Sequence, residues 1–329
     1  MLPWLKDKSK PIALVTALVV INVVLVSVLM VRAGRQIPAE PMTPPTTESA
    51  SPTPSRSSPS NSRSPTSSAS SSESADPTKS PSTSSSPAIN GVINHRLLVI
   101  SSADQGWRAN VGDCSTPGVI ERSQDGGKTW RTVQSPDLAL LTRLAVLDSN
   151  TLFVVGADSD CNAGYSISYV SGDQWERRDS ALADVWYLTP LDRNQVKAAG
   201  GHRSRPCGDR LVDLASIDLQ RAAVLCGKGT VLATTDAGKS WAGRGTLAGA
   251  AALGTSGNEF LAASIGGSCS GVTVTRFDGQ SAIQDSSGVC VSSADGAKSG
   301  DVALDGSGST VWLWAGDQVL TSTDGGKTW

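Results

Sequence analysis

An eight-residue pattern, Ser/Thr-x-Asp-x-Gly-Lys-Ser/Thr-Trp, occurs three times in the 329-residue chain, at residues 123–130, 234–241 and 322–329. Its glycine permits the positive φ that a tight turn requires, and its aspartate accepts hydrogen bonds from turn amides. Its tryptophan gives a short strand one large apolar anchor. A weaker echo that contains Asp173 spans residues 171–175. The pattern therefore predicts a turn that recurs in a repeat fold.

Short apolar runs with the length of β-strands fill the sequence between these turns. Three of them, residues 97–100, 106–109 and 119–122, precede the first copy, and similar sets follow along the chain. Short strands with recurring turns and a period of roughly 40–50 residues are typical of a β-propeller. We predict an all-β propeller over residues 89–329. It should contain about six four-stranded blades, the third incomplete, although five or seven would also fit the pattern.

The repeated pattern resembles the Asp-box, or BNR repeat, of sialidases, sortilin-type receptors, photosystem II assembly-factor-like proteins and several glycoside hydrolases. The resemblance covers most of residues 90–329 and is specific for the fold rather than for a function. It implies that each copy is the turn between the third and fourth strands of a blade, away from the ligand face. The residues expected to be structural on this basis are Asp125, Gly127, Trp130, Asp236, Gly238, Trp241, Asp324, Gly326 and Trp329.

Two segments of different composition precede the expected propeller. Residues 12–31 form an apolar run long enough to span a bilayer and longer than the apolar region of a usual signal peptide. Three lysines in residues 1–11 favour a cytoplasmic N-terminus. Residues 32–88 are dominated by Ser, Thr and Pro, so we expect a disordered and extended linker. We predict a single-pass, uncleaved signal-anchor in the cell membrane with an extracytoplasmic propeller; a cleaved signal peptide is the alternative.

The chain has six cysteines, all after residue 113, and only two histidines. A zinc site is therefore not expected, and an even number of cysteines behind a membrane segment indicates disulfides in an oxidising compartment. On the predicted blades the cysteines follow second strands or lie in a link between blades, on the face opposite the boxes. Several pairings are open, and neighbouring positions favour Cys114–Cys161, Cys207–Cys226 and Cys269–Cys290.

The same face should hold the longest loops, where binding residues usually lie. One of these loops, residues 200–210, is basic within an otherwise mildly acidic domain. We regard it as a candidate contact for an anionic ligand or a partner, and a solvated loop held by Cys207 as the alternative. Its basic residues are His202, Arg203, Arg205 and Arg210. The net charge of −2 for the whole chain argues against nucleic acid binding.

A sialidase-like hydrolase of cell-surface or wall glycans is the enzymatic alternative. That family requires three clustered arginines, a tyrosine–glutamate pair and an aspartic acid. The expected propeller has three tyrosines and three glutamates, most of them inside predicted strands, and no evident carboxylate pair for glycoside hydrolysis. A calcium loop at residues 158–164 lacks a closing glutamate. We therefore predict no catalytic residue, no metal site and no cofactor.

Together these features predict a membrane-anchored propeller that acts as a non-catalytic binding or scaffold module. Its partner would be a protein or an envelope glycan or other polymer. An assembly or stability factor for a membrane complex is a further alternative. We expect the ring to close at the last copy of the pattern. Either the last blade has a very short outer edge, or residues 89–93 complete it.

Overall fold

The structure is a computed structural model and describes residues 95–284 and 288–329. The predicted anchor, residues 12–31, the linker, residues 32–88, and the closing segment, residues 89–93, lie outside these residues. In the described part, none of the helices combines the length and the apolar character needed to cross a bilayer.

The described residues form small antiparallel groups of strands that follow one another along the chain, and each group is called a blade. A short parallel bridge between Ser256 and Gly306 joins the groups of blades 5 and 6 into one seven-stranded sheet. Blade 1 contains β1 Arg96–Ile100, β2 Gly106–Asn110, β3 Ile120–Ser123 and β4 Arg131–Thr132. Blade 2 contains β5 Leu140–Val146, β6 Leu152–Ala157, β7 Ala163–Ser168 and β8 Glu176–Arg177. Blade 3 contains β9 Tyr187–Thr189, β10 Asp192–Lys197 and β11 Arg203–Ser204.

The second half of the chain continues the same arrangement. Blade 4 contains β12 Leu211–Ser216, β13 Ala222–Cys226, β14 Thr230–Thr234 and β15 Ala242–Thr246. Blade 5 contains β16 Ala250–Ser256, β17 Glu259–Ile265, β18 Val272–Phe277 and β19 Val289–Val291. Blade 6 contains β20 Val302–Ser307, β21 Thr310–Ala315 and β22 Gln318–Ser322. The all-β, propeller-like arrangement predicted from the sequence is confirmed.

Two blades depart from the expected four strands. Blade 3 has three strands, as does the described part of blade 6. In blade 3, a 3-10 helix, Asp179–Asp184, precedes the sheet, and residues 184–186, from the end of this helix onwards, line the central cavity. The other blades present their first strand at this cavity. Blade 3 is therefore incomplete on its inner side, where a helical turn leads into the sheet.

The three copies of the repeated pattern, residues 123–130, 234–241 and 322–329, are called the box turns below. In the first, the Ser123 hydroxyl donates to Asp125 and accepts from the Gly127 amide at 2.9 Å. Asp125 also accepts the amide of Thr129 at 2.9 Å and the hydroxyl of Thr129. These bonds, led by the Thr129 hydroxyl, lower the pKa of Asp125 to about 2. The second and third box turns repeat this network.

Each box turn packs against the blade that precedes it in the ring. Trp130 of blade 1 meets Trp312 of blade 6 edge to face, with ring centroids 6.1 Å apart. Trp241 of blade 4 meets Trp186, at the start of blade 3, in the same geometry at 6.1 Å. In blade 6, the Gly325 carbonyl accepts a hydrogen bond from an arginine of β18 in blade 5. The box turns therefore join neighbouring blades as well as shaping their own.

The ring closes where blade 6 meets blade 1. The Arg108 guanidinium lies between two indoles, 4.3 Å from the Trp130 ring centroid and 4.9 Å from that of Trp314. It also pairs with Glu121 at 2.7 Å. The His95 amide donates to the Gly300 carbonyl at 3.0 Å, so the backbones of the two blades are joined as well. The described residues thus close the ring by contacts between its first and last blades.

Three disulfides tie the ends of the strands together. They join the same cysteines as the sequence favours, Cys114–Cys161, Cys207–Cys226 and Cys269–Cys290, with Cα–Cα distances of 5.5, 5.6 and 5.6 Å. Two positions differ from the expected ones. Cys207 lies in the link between β11 and β12, because blade 3 lacks its first strand, and Cys290 lies within the outermost strand of blade 5.

We expect the contacts of Arg108 at the closure to be stabilising. Arg108→Met removes the ion pair and the two cation–π contacts but keeps an apolar chain, so it should lower the free energy of unfolding by about 2 kcal/mol. Arg131→Met is the matched control, because Arg131 forms an exposed pair with Asp173 and its loss should cost less than about 1 kcal/mol. Denaturant unfolding of the full-length protein measures both. Equal effects of the two changes would contradict a role for Arg108 in closure.

We expect the three disulfides to contribute unequally. Cys114–Cys161 spans 47 positions, whereas Cys207–Cys226 spans 19. In the chain-entropy treatment, Ser replacements at the first pair should destabilise the protein by about 0.8 kcal/mol more than those at the second, since the longer loop loses more entropy on cross-linking. The third pair spans 21 positions and should resemble the second. Unfolding of the three double variants tests this order, and a smallest effect at Cys114–Cys161 would contradict it.

Candidate binding cavity and its mouth

A cavity of about 520 Å³ lies at the centre of the ring. Its lining comes from the first strands of blades 1, 2, 4, 5 and 6 and from residues 184–186 of blade 3. Both apolar and charged side chains contribute. The charged residues of the lining are Arg96, Arg143, Asp184, Asp213, Asp218 and Asp305.

Asp305 joins three blades inside the cavity. From β20 its carboxylate accepts the Ile100 amide of blade 1 at 3.0 Å and the Thr255 hydroxyl of blade 5 at 3.1 Å. Burial raises the pKa of Asp305 to about 6, although these hydrogen bonds oppose the shift. Both carboxylate oxygens are therefore engaged in holding inner strands together.

Asp213 has a similar place in blade 4. One oxygen accepts the Leu253 amide of blade 5 at 2.8 Å, and the other accepts the Leu214 amide at 2.8 Å. The side chain of Arg193 from β10 is buried close to Asp213. Burial lowers the pKa of Arg193 to about 10, and the Asp213 charge opposes this shift. Asp213 thus also binds backbone amides of its own and the next blade.

Arg143 spans the gap at the incomplete blade. From β5 in blade 2, its Nη2 donates to Ser216 Oγ of blade 4 at 2.8 Å. Burial lowers the pKa of Arg143 to about 10. Within the described residues its buried Nε has no hydrogen-bond partner. Arg143 therefore connects the two blades on either side of blade 3.

Two exposed leucines mark one mouth of the cavity. Leu147 follows β5 and is 60% exposed, and Leu219 lies between β12 and β13 and is 57% exposed. Both side chains line the cavity, as does the exposed Asp184. The turns between first and second strands lie at the same ends of the strands as the box turns, by the antiparallel order of the sheets. The mouth is therefore on the side of the box turns.

The weaker echo of the pattern in blade 2 has a different register from the expected one. The turn begins at Ser168, whose Oγ accepts the Gly172 amide at 2.8 Å, as the box serines do. Val170 occupies the aspartate position, while Asp173 forms an ion pair with Arg131 at 2.9 Å. The signal for this register is present in the sequence, because serine, glycine and tryptophan keep the box spacing over residues 168–175. This segment is called the blade 2 turn below.

The basic loop singled out from the sequence lies apart from the cavity lining. His202, Arg203, Arg205 and Arg210 are all exposed. Arg205 forms an ion pair with Asp192, which neutralises part of the local charge. The structure therefore places these residues at the surface of blade 3 and of its link to blade 4.

The groups that a sialidase-like site requires are not brought together in the described part of the chain. Its cavity lining contains Arg96 and Arg143 but no tyrosine and no glutamate. The three glutamates of the ring form ion pairs with arginines elsewhere, namely Glu121 with Arg108, Glu176 with Arg178, and Glu259 with Arg276. The cavity carboxylates whose hydrogen bonds are described above hold backbone amides. Asp213 and Asp305 therefore have structural roles in the cavity.

Asp305 should give the stability of the protein a distinct pH dependence. Its folded pKa, about 6, lies above the ordinary value of 3.8, so ionisation in the folded state is unfavourable and stability falls as pH rises from about 4 to 6. The loss should approach about 3 kcal/mol, and Asp305→Asn should remove it.

Asp236→Asn is the control for this measurement. Its pKa is lowered to about 2, chiefly by the Ser240 hydroxyl, so its contribution is lost only as pH falls from about 4 towards 2. Unfolding curves between pH 2 and pH 7 separate the two windows. A slope between pH 4 and pH 6 that survives in Asp305→Asn would assign it to another group.

No protein-family model matches the chain, and no curated protein matches it. Among solved structures it is similar to YCF48 bound to D1 peptide, with 15% identity, 71% of this chain and 64% of that chain covered, and a TM-score of 0.28. It is also similar to YCF48 from Cyanidioschyzon merolae, with 17% identity, 70% of this chain and 67% of that chain covered, and a TM-score of 0.30. A third similar structure is a mutant of the Aleuria aurantia lectin AAL in complex with Fucalpha1-6GlcNAc, with 12% identity, 70% of this chain and 96% of that chain covered, and a TM-score of 0.42. The chain thus spans less than two thirds of the first of these structures, and the similarity concerns the fold alone.

Proposed function

We propose that this protein is a non-catalytic binding module whose partner docks over the leucine-marked mouth of the central cavity. The observation that carries the proposal is the placement of exposed apolar side chains. Of the six large apolar residues exposed in the described part of the chain, four lie on the side of the box turns, and two of these four line the cavity. They are Leu147, Tyr169, Val170 and Leu219. Clustered exposed apolar residues on a soluble domain mark interaction sites.

The engagement of two cavity carboxylates, Asp213 and Asp305, supports binding rather than hydrolysis. A general acid and a nucleophile or base must face the substrate with a free oxygen. The carboxylate oxygens of Asp213 and Asp305 instead accept amide or hydroxyl hydrogen bonds from neighbouring strands. Removal of either carboxylate would therefore weaken the contacts between neighbouring blades.

We infer the setting of the module from the sequence, and the disulfides support it. The apolar residues 12–31 would anchor the chain in the membrane, and residues 32–88 would hold the propeller away from it. Three disulfides support an oxidising, extracytoplasmic location. The partner would then be a protein or an envelope polymer. Participation in the assembly of a membrane complex is one role that such a module could serve.

Site-specific photo-cross-linking in native membranes tests this proposal. We expect p-benzoylphenylalanine in place of Leu147 or Leu219 to give a discrete adduct, because these side chains would be covered by the partner. Val119 is the matched control, since it is 45% exposed but lies before β3, at the opposite ends of the strands. Adducts from position 119 alone would contradict the proposed face. Hydrolysis of fluorogenic glycosides by the purified wild-type protein would contradict a non-catalytic role.

A further inference from the structure

The blade 2 turn keeps the shape of a box turn without its polar sequence. The amide-to-hydroxyl bond that closes it measures 2.8 Å, against 2.9, 3.1 and 2.8 Å in the three box turns. Ser171 has a φ of 60°, close to the 59° of Ala237 at the equivalent position of the second box turn. The two turns therefore share their backbone conformation although their side chains differ.

Tyr169 and Val170 replace a polar pair in this turn. The equivalent positions are Gln-Asp in the first box turn and Thr-Asp in the second and third. Tyr169 is 48% exposed and Val170 is 47% exposed. Because three polar sequences form the same turn, the fold does not require an apolar pair here. The Arg178 guanidinium lies 5.5 Å from the centroid of the Tyr169 ring, and the surface of the pair that stays exposed is available for contact with another molecule.

The blade 2 turn is continuous with the mouth of the cavity. The Ser171 amide donates to the Asn150 carbonyl at 2.7 Å, and the Ser171 hydroxyl lies 3.2 Å from the Asn150 side-chain oxygen. Asn150 belongs to the hairpin that carries Leu147. Leu219 lines the same cavity as Leu147. These four side chains, Leu147, Tyr169, Val170 and Leu219, are called the apolar strip below.

Carboxylates border the apolar strip. Asp184 is exposed, and within the described residues its side chain forms no hydrogen bond or ion pair. Asp148 is exposed and accepts two backbone amides, led by that of Asn150, which lowers its pKa and keeps it ionised. The arginines of the surrounding turns are paired with acids, Arg131 with Asp173, Arg178 with Glu176 and Arg221 with Asp218. The border of the strip therefore carries net negative charge.

We propose that the apolar strip binds a polypeptide segment that combines apolar side chains with lysine or arginine. The inference rests on the proposed binding function and specifies the partner of the same site. Apolar side chains of the segment cover the strip, and its cations lie against Asp184 and Asp148. Burial of apolar surface supplies affinity, while the charges favour this class of partner over acidic segments and neutral glycans.

Binding of defined peptides to the full-length protein in zwitterionic lipid nanodiscs tests this inference, with empty nanodiscs as the background. The probes are three fluorescent octapeptides that alternate leucine with lysine, leucine with glutamate, or serine with lysine. We expect the leucine–lysine peptide to bind at least about tenfold more tightly than the others, since it alone offers both contacts. Equal binding of the serine–lysine peptide would reduce the site to electrostatics and overturn the proposal.

The double change Tyr169→Thr and Val170→Asp separates recognition from folding. It restores the aspartate of the box pattern, while Asp173 and Gln174 stay in the lysine and Ser/Thr positions. The new carboxylate can accept the following turn amides, so the melting temperature should stay the same or rise. Affinity for the leucine–lysine peptide should fall by at least about tenfold. Asp184→Asn should weaken binding by about threefold and reduce its salt dependence. Leu219→Ser gives an independent test on the other side of the mouth and should also weaken binding.

Two controls define the outcome. Leu191→Ser removes another leucine, 53% exposed, that is not part of the cavity lining, and it should leave the affinity unchanged. Loss of the basic side chains in His202→Ala with Arg203→Ala should not weaken binding either. Wild-type affinity in the double variant and in Leu219→Ser would overturn the apolar strip as the site. Cross-links at positions 147 and 219 without leucine–lysine peptide binding would retain the proposed function and reject only this partner class.

Discussion

The fold depends on the packing of each box turn against the preceding blade. A sheet of three or four short strands cannot bury its faces alone, so a blade is stable only against its neighbours. The Ser–Asp–Gly hydrogen bonds fix the turn, and its glycine lets the backbone approach closely. A Cβ at Gly127 would lie 2.9 Å from a methyl carbon of Val319 in blade 6. The tryptophan that ends the turn then meets an indole of the preceding blade, as Trp130 meets Trp312 and Trp241 meets Trp186.

The same constraint explains why charged side chains of the central cavity have structural roles. Among the described inner strands, neighbouring blades share only a short parallel bridge, between Ser256 and Gly306, so inward backbone amides need other partners. Asp305 of blade 6 accepts the Ile100 amide of blade 1, and Asp213 of blade 4 accepts the Leu253 amide of blade 5. Each carboxylate thus provides a partner for an amide of the next blade in the ring. Desolvation of Asp305 is a cost of this arrangement. The charge of Asp305 also acts on Arg143, where it opposes the lowering of the Arg143 pKa by burial. The engagement of Asp213 and Asp305 inside the cavity therefore favours the mouth as the recognition site that we propose.

Local patterns were sufficient to predict the repeat, the all-β class and the neighbouring cysteine pairs, because turns and strands are encoded over a few residues. Contacts between distant segments were not predictable in this way. Arg143 and Ser216 are 73 positions apart, and nothing near either residue indicates their hydrogen bond. The missing first strand of blade 3 also moved Cys207 from its expected place. In blade 2, Val170 in the aspartate position concealed the register of a turn whose serine, glycine and tryptophan were all present.

The contrast between the box turns and the blade 2 turn links folding to recognition. A carboxylate in the turn provides several hydrogen bonds to the backbone, and three blades retain it. Blade 2 forms the same backbone with the serine hydroxyl and the glycine alone. Contacts with blade 1 also hold this turn, because Trp107 donates to the Ser171 carbonyl at 3.0 Å and Trp175 donates to the Gln134 carbonyl at 2.8 Å. Since these contacts fix the turn from outside, its two outward positions are released from a structural role and can carry the apolar side chains that a partner would cover.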